Sequence, residues 1–204
     1  MLVGVVLGAG SSRRLGRPKQ TLPFGDTTVL GRVVRHAEAS SLDRVVVVLG
    51  GAADEVRATL APGRATVTLN TAYGTGCASS LLAGLDAAGH PDGIVMLLGD
   101  MPGVDAAVID EVAAAWRADP GWAAVTSYED GLGHPFVFSA AAFGDLRALH
   151  GDKAVWKIVE REPPERVRRL RVARPLPPDI DTWEDYREAC RRAGVAPAAT
   201  GSTG

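Results

Sequence analysis

The chain is short of several things that would each point to a particular class of protein. It has only two cysteines, Cys77 and Cys190, with no metal-ligand spacing between them. That leaves no cysteine framework for a disulfide-stapled domain or a zinc module. With no secretion signal ahead of them, the two read as free thiols in a reducing compartment, and the expected setting is cytoplasmic. Charge of one sign is also missing. The formal net charge is −2, so no broad basic field points to nucleic acid. There is no long apolar run either. The opening stretch MLVGVVLGAG breaks at glycines, is far too short to span a membrane, and has no basic segment before it, so it reads as a buried strand. No internal repeat is visible.

What is present is an ordinary globular composition, 46% hydrophobic and 23% charged, in 204 residues. That length suits one domain with a substantial core. Short apolar runs alternate with amphipathic segments, the pattern of a parallel α/β sheet. Strands are predicted at Leu2–Leu7, Arg44–Leu49, Thr66–Leu69 and Gly93–Leu98. Helices are predicted at Thr28–Ser40, after Gly51 with Asp54 as cap, at Gly76–Ala88, and from Asp105 through Trp116. The second half predicts strands at Trp122–Ser127, Pro135–Ser139 and Val167–Val172, and helices near Ala140–Leu149, Asp152–Arg161 and Thr182–Ala193. Residues 1–193 form the expected domain. Residues 194–204, small and polar without periodicity, form an expected disordered tail.

Leu7-Gly8-Ala9-Gly10-Ser11-Ser12-Arg13-Arg14-Leu15-Gly16-Arg17-Pro18-Lys19 directly follows the first strand. Small residues at a strand end let backbone N–H groups approach phosphate oxygens, and arginine and lysine add charge. A surface turn with a basic face is the plain alternative. A dinucleotide-binding oxidoreductase is the rival from another class, since Gly8-Ala9-Gly10 mimics the start of G-x-G-x-x-G. However, the third glycine position is Arg13, and the second strand ends in Leu49-Gly50-Gly51 without the acidic residue that would hold a ribose. A Walker A loop fails as well, because Gly10 and Gly16 are one residue too far apart and no Lys-Ser/Thr pair follows. Further along, Asp100 closes Ile94–Leu98 and is followed by Met101-Pro102. A carboxylate at the carboxyl end of a central strand is well placed to bind Mg²⁺, which takes one or two carboxylates plus phosphates and waters. A turn or helix-cap aspartate is the alternative. Thr182 and Asp185 suit a capping box, leaving Asp179 and Asp181 free.

The loop L-G-A-G-S-S-R-R-L-G-R-P-K, the motif Gly99-Asp100-Met101-Pro102 and the motif Asp179-Ile180-Asp181-Thr182-Trp183-Glu184-Asp185 together resemble the MobA-like nucleotidyltransferases. Within that group the chain looks most like the molybdenum-cofactor cytidylyltransferases. The resemblance covers roughly residues 1–190. It implies a three-layer α/β/α Rossmann-like nucleotidyltransferase fold with a mostly parallel sheet. It sets Leu7, Ala9 and Gly10 beside the nucleotide, Arg14 and Lys19 on the triphosphate, and Gly76 and Ser79 near the base. It makes Asp100 and Asp181 the holders of Mg²⁺. Arg14, Lys19 and Asp100 become the catalytic set. His134, in Gly133-His134-Pro135, and Asp152 fall on the acceptor side. Gly8 stands where alanine is usual, Trp183 where proline is usual, and Ala154 and Trp156 where glycine and arginine are usual.

By that resemblance the expected reaction transfers CMP from CTP to a phosphorylated acceptor, molybdopterin or its metal-bearing cofactor, and releases pyrophosphate. GTP as donor, or a sugar-phosphate or phospholactate acceptor, are the variants within the same chemistry. NAD(P)-dependent oxidoreduction and a non-catalytic nucleotide-binding regulator come from other classes. The expected partners are a nucleoside triphosphate and a small phosphorylated acceptor, with no nucleic acid and no membrane. Any partner molybdoenzyme or chaperone is left unnamed.

Overall fold

The computed structural model describes residues 1–10, 15–61, 63–151, 154–163 and 165–198. In chain order the first half runs β1 (Leu2–Gly8), a small hairpin of β2 (Pro23–Phe24) and β3 (Thr27–Thr28), α1 (Val29–Ala39), β4 (Arg44–Leu49), α2 (Ala53–Thr59), β5 (Thr66–Leu69) and α3 (Cys77–Ala88). The second half continues with β6 (Gly93–Leu98), α4 (Ala106–Ala118), β7 (Ala123–Ser127), β8 (Leu132–Ser139), α5 (Phe143–Arg147), α6 (Ala154–Arg161), β9 (Val167–Arg171) and α7 (Trp183–Arg192). Seven strands form one sheet in the order β5-β4-β1-β6-β8-β7-β9. All its neighbouring pairs are parallel except those of β8, which runs against both β6 and β7.

Helices cover both faces, which is why the central strands are apolar at nearly every position. Successive β1 side chains alternate between two cores. Leu2 and Val6 join the α1–α4 side, while Val3, Val5 and Leu7 join the side packed by α3, α5 and α6. α3 approaches β1 closely through Gly84. A Cβ there would lie 2.3 Å from Val5 Cγ1 and 3.0 Å from Val48 Cγ2.

A third, smaller core joins segments far apart in sequence. Leu15, Leu22, Phe24 and Val29 pack against Ile180, Tyr186, Ala189 and Cys190 of the C-terminal region. The Tyr186 hydroxyl donates to the Pro23 carbonyl at 2.6 Å and accepts from the Ala198 N–H at 2.8 Å. Val195 packs on the same cluster, and its N–H donates to the Cys190 carbonyl. Residues 194–198, expected to be tail, are therefore tied to the body by backbone and apolar contacts. Residues 199–204 lie outside the described set.

Three other expectations need correcting. Asp54 does not cap α2. The cap position is Ala52, and Asp54 sits in the first turn, where its charge suits the helix N-terminus. The helix read over Ala140–Leu149 is one 3₁₀ turn, Ala140–Ala142, followed by five α-helical residues. β8 starts three residues earlier than its apolar run, because Leu132 and Gly133 pair with Ser127 and Thr126 beyond a bulge. Pro135, which has no N–H to give, falls in that bulge, and its carbonyl accepts from Thr126 Oγ1 at 2.7 Å. Among the described residues no helix is long and apolar enough to cross a membrane.

Candidate active site

The sheet reverses its order between β1 and β6, and ligands of open α/β sheets bind at such a point, outside the carboxyl ends of the strands. The two strand ends run side by side there. The Gly99 N–H donates to the Leu7 carbonyl at 2.9 Å, and a Cβ on Gly99 would meet that carbonyl at 2.9 Å and Gly8 Cα at 3.2 Å. Glycine at position 99 is what lets the segment bearing Asp100 lie against the loop leaving β1.

The loop is braced from below. Gln20 Nε2 donates to the carbonyls of Gly8 (3.0 Å) and Gly10 (2.9 Å). Those bonds hold the start of the loop, Gly8 to Gly10, against Gln20. Gly8 is closely packed too. A Cβ there would lie 3.0 Å from Leu30 Cδ2, so the missing methyl suits this core. Leu7 and Ala9 are buried and Gly10 is exposed. Arg14, assigned to the triphosphate, lies outside the described residues, as do Ser11, Ser12 and Arg13.

Lys19 begins a single 3₁₀ turn, Lys19–Thr21, entered from Pro18. Its ammonium group stands between two carboxylates, 2.5 Å from Asp100 Oδ2 and 2.9 Å from Asp181 Oδ1. The three side chains come from regions about 80 residues apart along the chain. The Ile180 N–H donates to the Asp100 carbonyl at 3.0 Å, which ties the two acidic segments together through the backbone. The capping box of α7 fixes the start of that helix, with Thr182 and Asp185 bonding reciprocally. The Asp181 N–H also donates to Asp185 Oδ2. Asp185 thus serves the helix start and Asp181 is left to face Lys19.

Exposure decides how these charges behave. The Lys19 side chain is 12% exposed, Asp100 19% and Asp181 39%. Burial pushes the Asp100 pKa up, Lys19 pulls it down, and the nearby Asp179 charge pushes it up again, leaving it above the ordinary carboxylate value. Burial works to lower the Lys19 pKa, but Asp100 and Asp181 more than offset it, and the ammonium is held above its usual value. Asp100 Oδ1 is buried and has no hydrogen-bond partner. An orphaned carboxylate oxygen beside a second carboxylate is a donor set of hard oxygens, which suits a divalent cation such as Mg²⁺ or Mn²⁺. No group of three or more potential ligands converges among the described residues.

Gly76 is the N-cap of α3 with φ +111°, a conformation that favours glycine. Ser79 is held within the protein. Its hydroxyl donates to the carbonyl of Gly76 or Ala72 and accepts from Asn70 Nδ2 at 2.9 Å. The structure adds a contact beside this segment that the sequence does not mark. Tyr73, 45% exposed, lies across Gly50 and Gly51. A Cβ on Gly50 would be 2.7 Å from Ala9 Cβ and 2.8 Å from Tyr73 Cβ. The two glycines read as a strand end also make room for Tyr73 beside the loop.

His134 is not in this cluster. It is buried, its ring meets Phe136 at 4.4 Å and Trp156 at 6.2 Å, and its Nδ1 has no partner. Burial pushes its pKa down to about 4 despite a hydrogen bond with the Met96 backbone, so the ring is neutral near pH 7. This is the environment of a packing histidine. Asp152 lies outside the described residues.

A three-layer α/β fold with a small-residue loop, a lysine and two converging carboxylates at the switch point defines a nucleotide-handling class. Residues 4–167 match the MobA-like NTP transferase domain, and the chain belongs to that family of nucleotidyltransferases. It is 34% identical to nicotine blue oxidoreductase of Paenarthrobacter nicotinovorans, over 68% of this chain and 71% of that one. It is 29% identical to a probable molybdenum cofactor guanylyltransferase of Opitutus terrae, over 89% and 87%. Among solved structures it is similar to Rv0371c of Mycobacterium tuberculosis, with 45% identity, TM-score 0.84 and coverage of 93% and 97%. That protein has also been solved in complex with manganese.

Proposed function

We infer that the chain transfers CMP from CTP to a phosphorylated acceptor of the molybdopterin type, with a divalent cation bound by Asp100 and Asp181. The observation that carries the reading is the Lys19 ammonium between two carboxylates at the mouth of the loop, with one oxygen of Asp100 buried and unpartnered. The manganese complex of the similar Rv0371c supports it. A divalent cation at this place supplies charge to offset the build-up on the pyrophosphate leaving group.

The chain's own residues do the rest by positioning. The braced loop at Leu7, Ala9 and Gly10 seats the nucleotide through its backbone. Lys19 turns from the carboxylates toward the triphosphate as it enters, so one cation serves the empty and the loaded states. The acceptor phosphate is already anionic near neutral pH, so no strong general base is needed. A neutral, walled-in His134 is consistent with that. Asp152 and Arg14 keep their proposed roles on the acceptor and the triphosphate.

The base and the acceptor are the finer part of the proposal. The loop, with Ala9 and Ser11-Ser12, favours CTP, whereas the similar guanylyltransferase of Opitutus terrae favours GTP. A site that hydrogen-bonds one base edge discriminates because the wrong base leaves buried polar groups unpaired, at about 1–3 kcal/mol each. The test is pyrophosphate release with molybdopterin as acceptor and Mg²⁺ or Mn²⁺ present, comparing the two nucleotides at equal concentration. Faster release with CTP is expected. Equal or faster release with GTP reverses the base assignment. The name of the Paenarthrobacter relative motivates a second reading, reduction or oxidation of a small molecule with NAD(P)H. NAD(P)H consumption without any pyrophosphate release would establish that reading in place of transfer.

A further inference from the structure

A cavity of about 510 Å³ lies apart from the carboxylate cluster. α1, the start of α4, the connector before α7 and the end of α7 enclose it, and neither Lys19, Asp100 nor Asp181 lines it. Its floor is apolar, lined by Phe24 and the rings of Pro102, Pro177 and Pro178. Three arginines, Arg32, Arg174 and Arg192, stand in its wall against one aspartate, Asp105. Asp105 is already engaged as the N-cap of α4 and in an ion pair with Arg174. The neighbours Asp26, Glu111 and Glu188 each take part of the arginine charge from outside. Arg32 Nε, however, is buried with no hydrogen-bond partner, a donor that the protein leaves unused. Burial also lowers the pKa of His36 in the same wall, so the positive charge there belongs to the arginines.

The cavity's floor is continuous with the active site. Pro102 and Gly103 directly follow the segment of Asp100, and Pro177 and Pro178 directly precede Asp179. The two segments touch, since a Cβ on Gly103 would lie 2.9 Å from Pro177 Cβ. They are also joined by the hydrogen bond from Ile180 to Asp100. A molecule resting on these prolines presses on both chain segments that carry the carboxylates.

We propose that this cavity is a second ligand site, for an apolar molecule bearing one anionic group, and that its occupancy is felt at Asp100 and Ile180. The apolar floor takes the body of the molecule, and the arginine wall takes its carboxylate, sulfonate or phosphate. Because coupling between sites is reciprocal, whatever fills the cavity and shifts the carboxylates has its own affinity shifted by ligands of the active site.

The test uses the full chain and the fluorescent probe 1-anilinonaphthalene-8-sulfonate, a flat aromatic anion. Saturable one-site binding is expected. It should weaken about tenfold or more in Ala193→Trp, which places an indole in the opening, and measurably in Arg192→Gln, which removes wall charge. The uncharged analogue N-phenyl-1-naphthylamine should bind more weakly. In amide NMR spectra, the Asp100 and Ile180 resonances should shift in step with probe fluorescence. Absence of saturable binding, or binding unchanged in Ala193→Trp, overturns the site. Equal binding of the uncharged analogue overturns the anionic requirement. Binding without movement of Asp100 and Ile180 overturns the coupling. None of these readouts needs metal or nucleotide, so they stand or fall separately from the transfer reaction.

Discussion

Replacing Lys19 with methionine keeps most of the unbranched side chain and removes the charge that separates Asp100 from Asp181. Breaking a buried ion pair from one side costs about 3–5 kcal/mol when the remaining charge stays buried. Two features reduce that here. Asp181 is 39% exposed, so water screens much of its share. Asp100 is 19% exposed with a raised pKa, so it can take up a proton rather than stay charged. The expected loss near neutral pH is therefore about 2–3 kcal/mol. The sign with pH comes from the raised carboxyl. Between the unfolded value of 3.8 and the higher folded value, the native state binds more protons, so stability falls as pH rises through that window. Lys19→Met should recover stability on mild acidification, and should gain more from Mn²⁺ near pH 7 than the parent does, because the positive charge that Lys19 places between the two carboxylates is gone. Urea unfolding at about pH 5 and about pH 8, with and without Mn²⁺, measures both effects. A variant as stable as the parent, indifferent to pH and to Mn²⁺, would refute the account of Lys19 as the ion that neutralises this pair.

Asp100→Asn should fold normally yet lose about 10²–10³-fold or more in pyrophosphate release, and undiminished release would remove Asp100 from the site. His134 gives an acid dependence of its own. Its folded pKa of about 4 lies below the ordinary 6.5, so its share of stability is present above 6.5 and is lost as pH falls toward 4. That share is about 3 kcal/mol, and His134→Phe should show a smaller acid loss in urea titrations; an equal loss would place the acid sensitivity elsewhere. Gly84→Ala should destabilise by about 1–3 kcal/mol despite alanine's better helix propensity, because the new methyl strikes Val5, and a higher melting temperature would contradict the close approach of α3 to β1.

The parts of the fold legible in the sequence are those whose partners lie on both faces of the sheet. β1, β4 and β6 announce themselves because burial on two sides permits no polar residue for several positions. The carboxylate pair is readable only through the resemblance, since nothing local in Asp179-Ile180-Asp181 says that it meets Lys19 from the other end of the chain. The hairpin of β2 and β3 is invisible in the sequence because four residues carry no period. β8 reads too short because Gly131 and Gly133 mark a turn around Leu132, and only pairing with Ser127 and Thr126 beyond the bulge makes Leu132 and Gly133 extended. The helix after β8 reads too long because an alanine run satisfies any helical template, whereas the chain there makes one 3₁₀ turn and then five α-helical residues. Tyr73 over Gly50 and Gly51 has no sequence mark at all, because close approach of two loops is a property of the assembled fold.

The small third core makes the C-terminal helix a late arrival with early consequences. β1 and the loop after it are complete long before α7 emerges during synthesis. Leu15, Leu22 and Phe24 nevertheless wait for Ile180 and Tyr186 to cover them, and Lys19 waits for Asp181. A chain released before Asp179, or trimmed back past it by a protease, keeps most of its sheet but neither the second carboxylate nor the apolar cover of Leu15, Leu22 and Phe24. On this arrangement truncated copies should be silent rather than weakly active, so incomplete chains would consume no nucleotide.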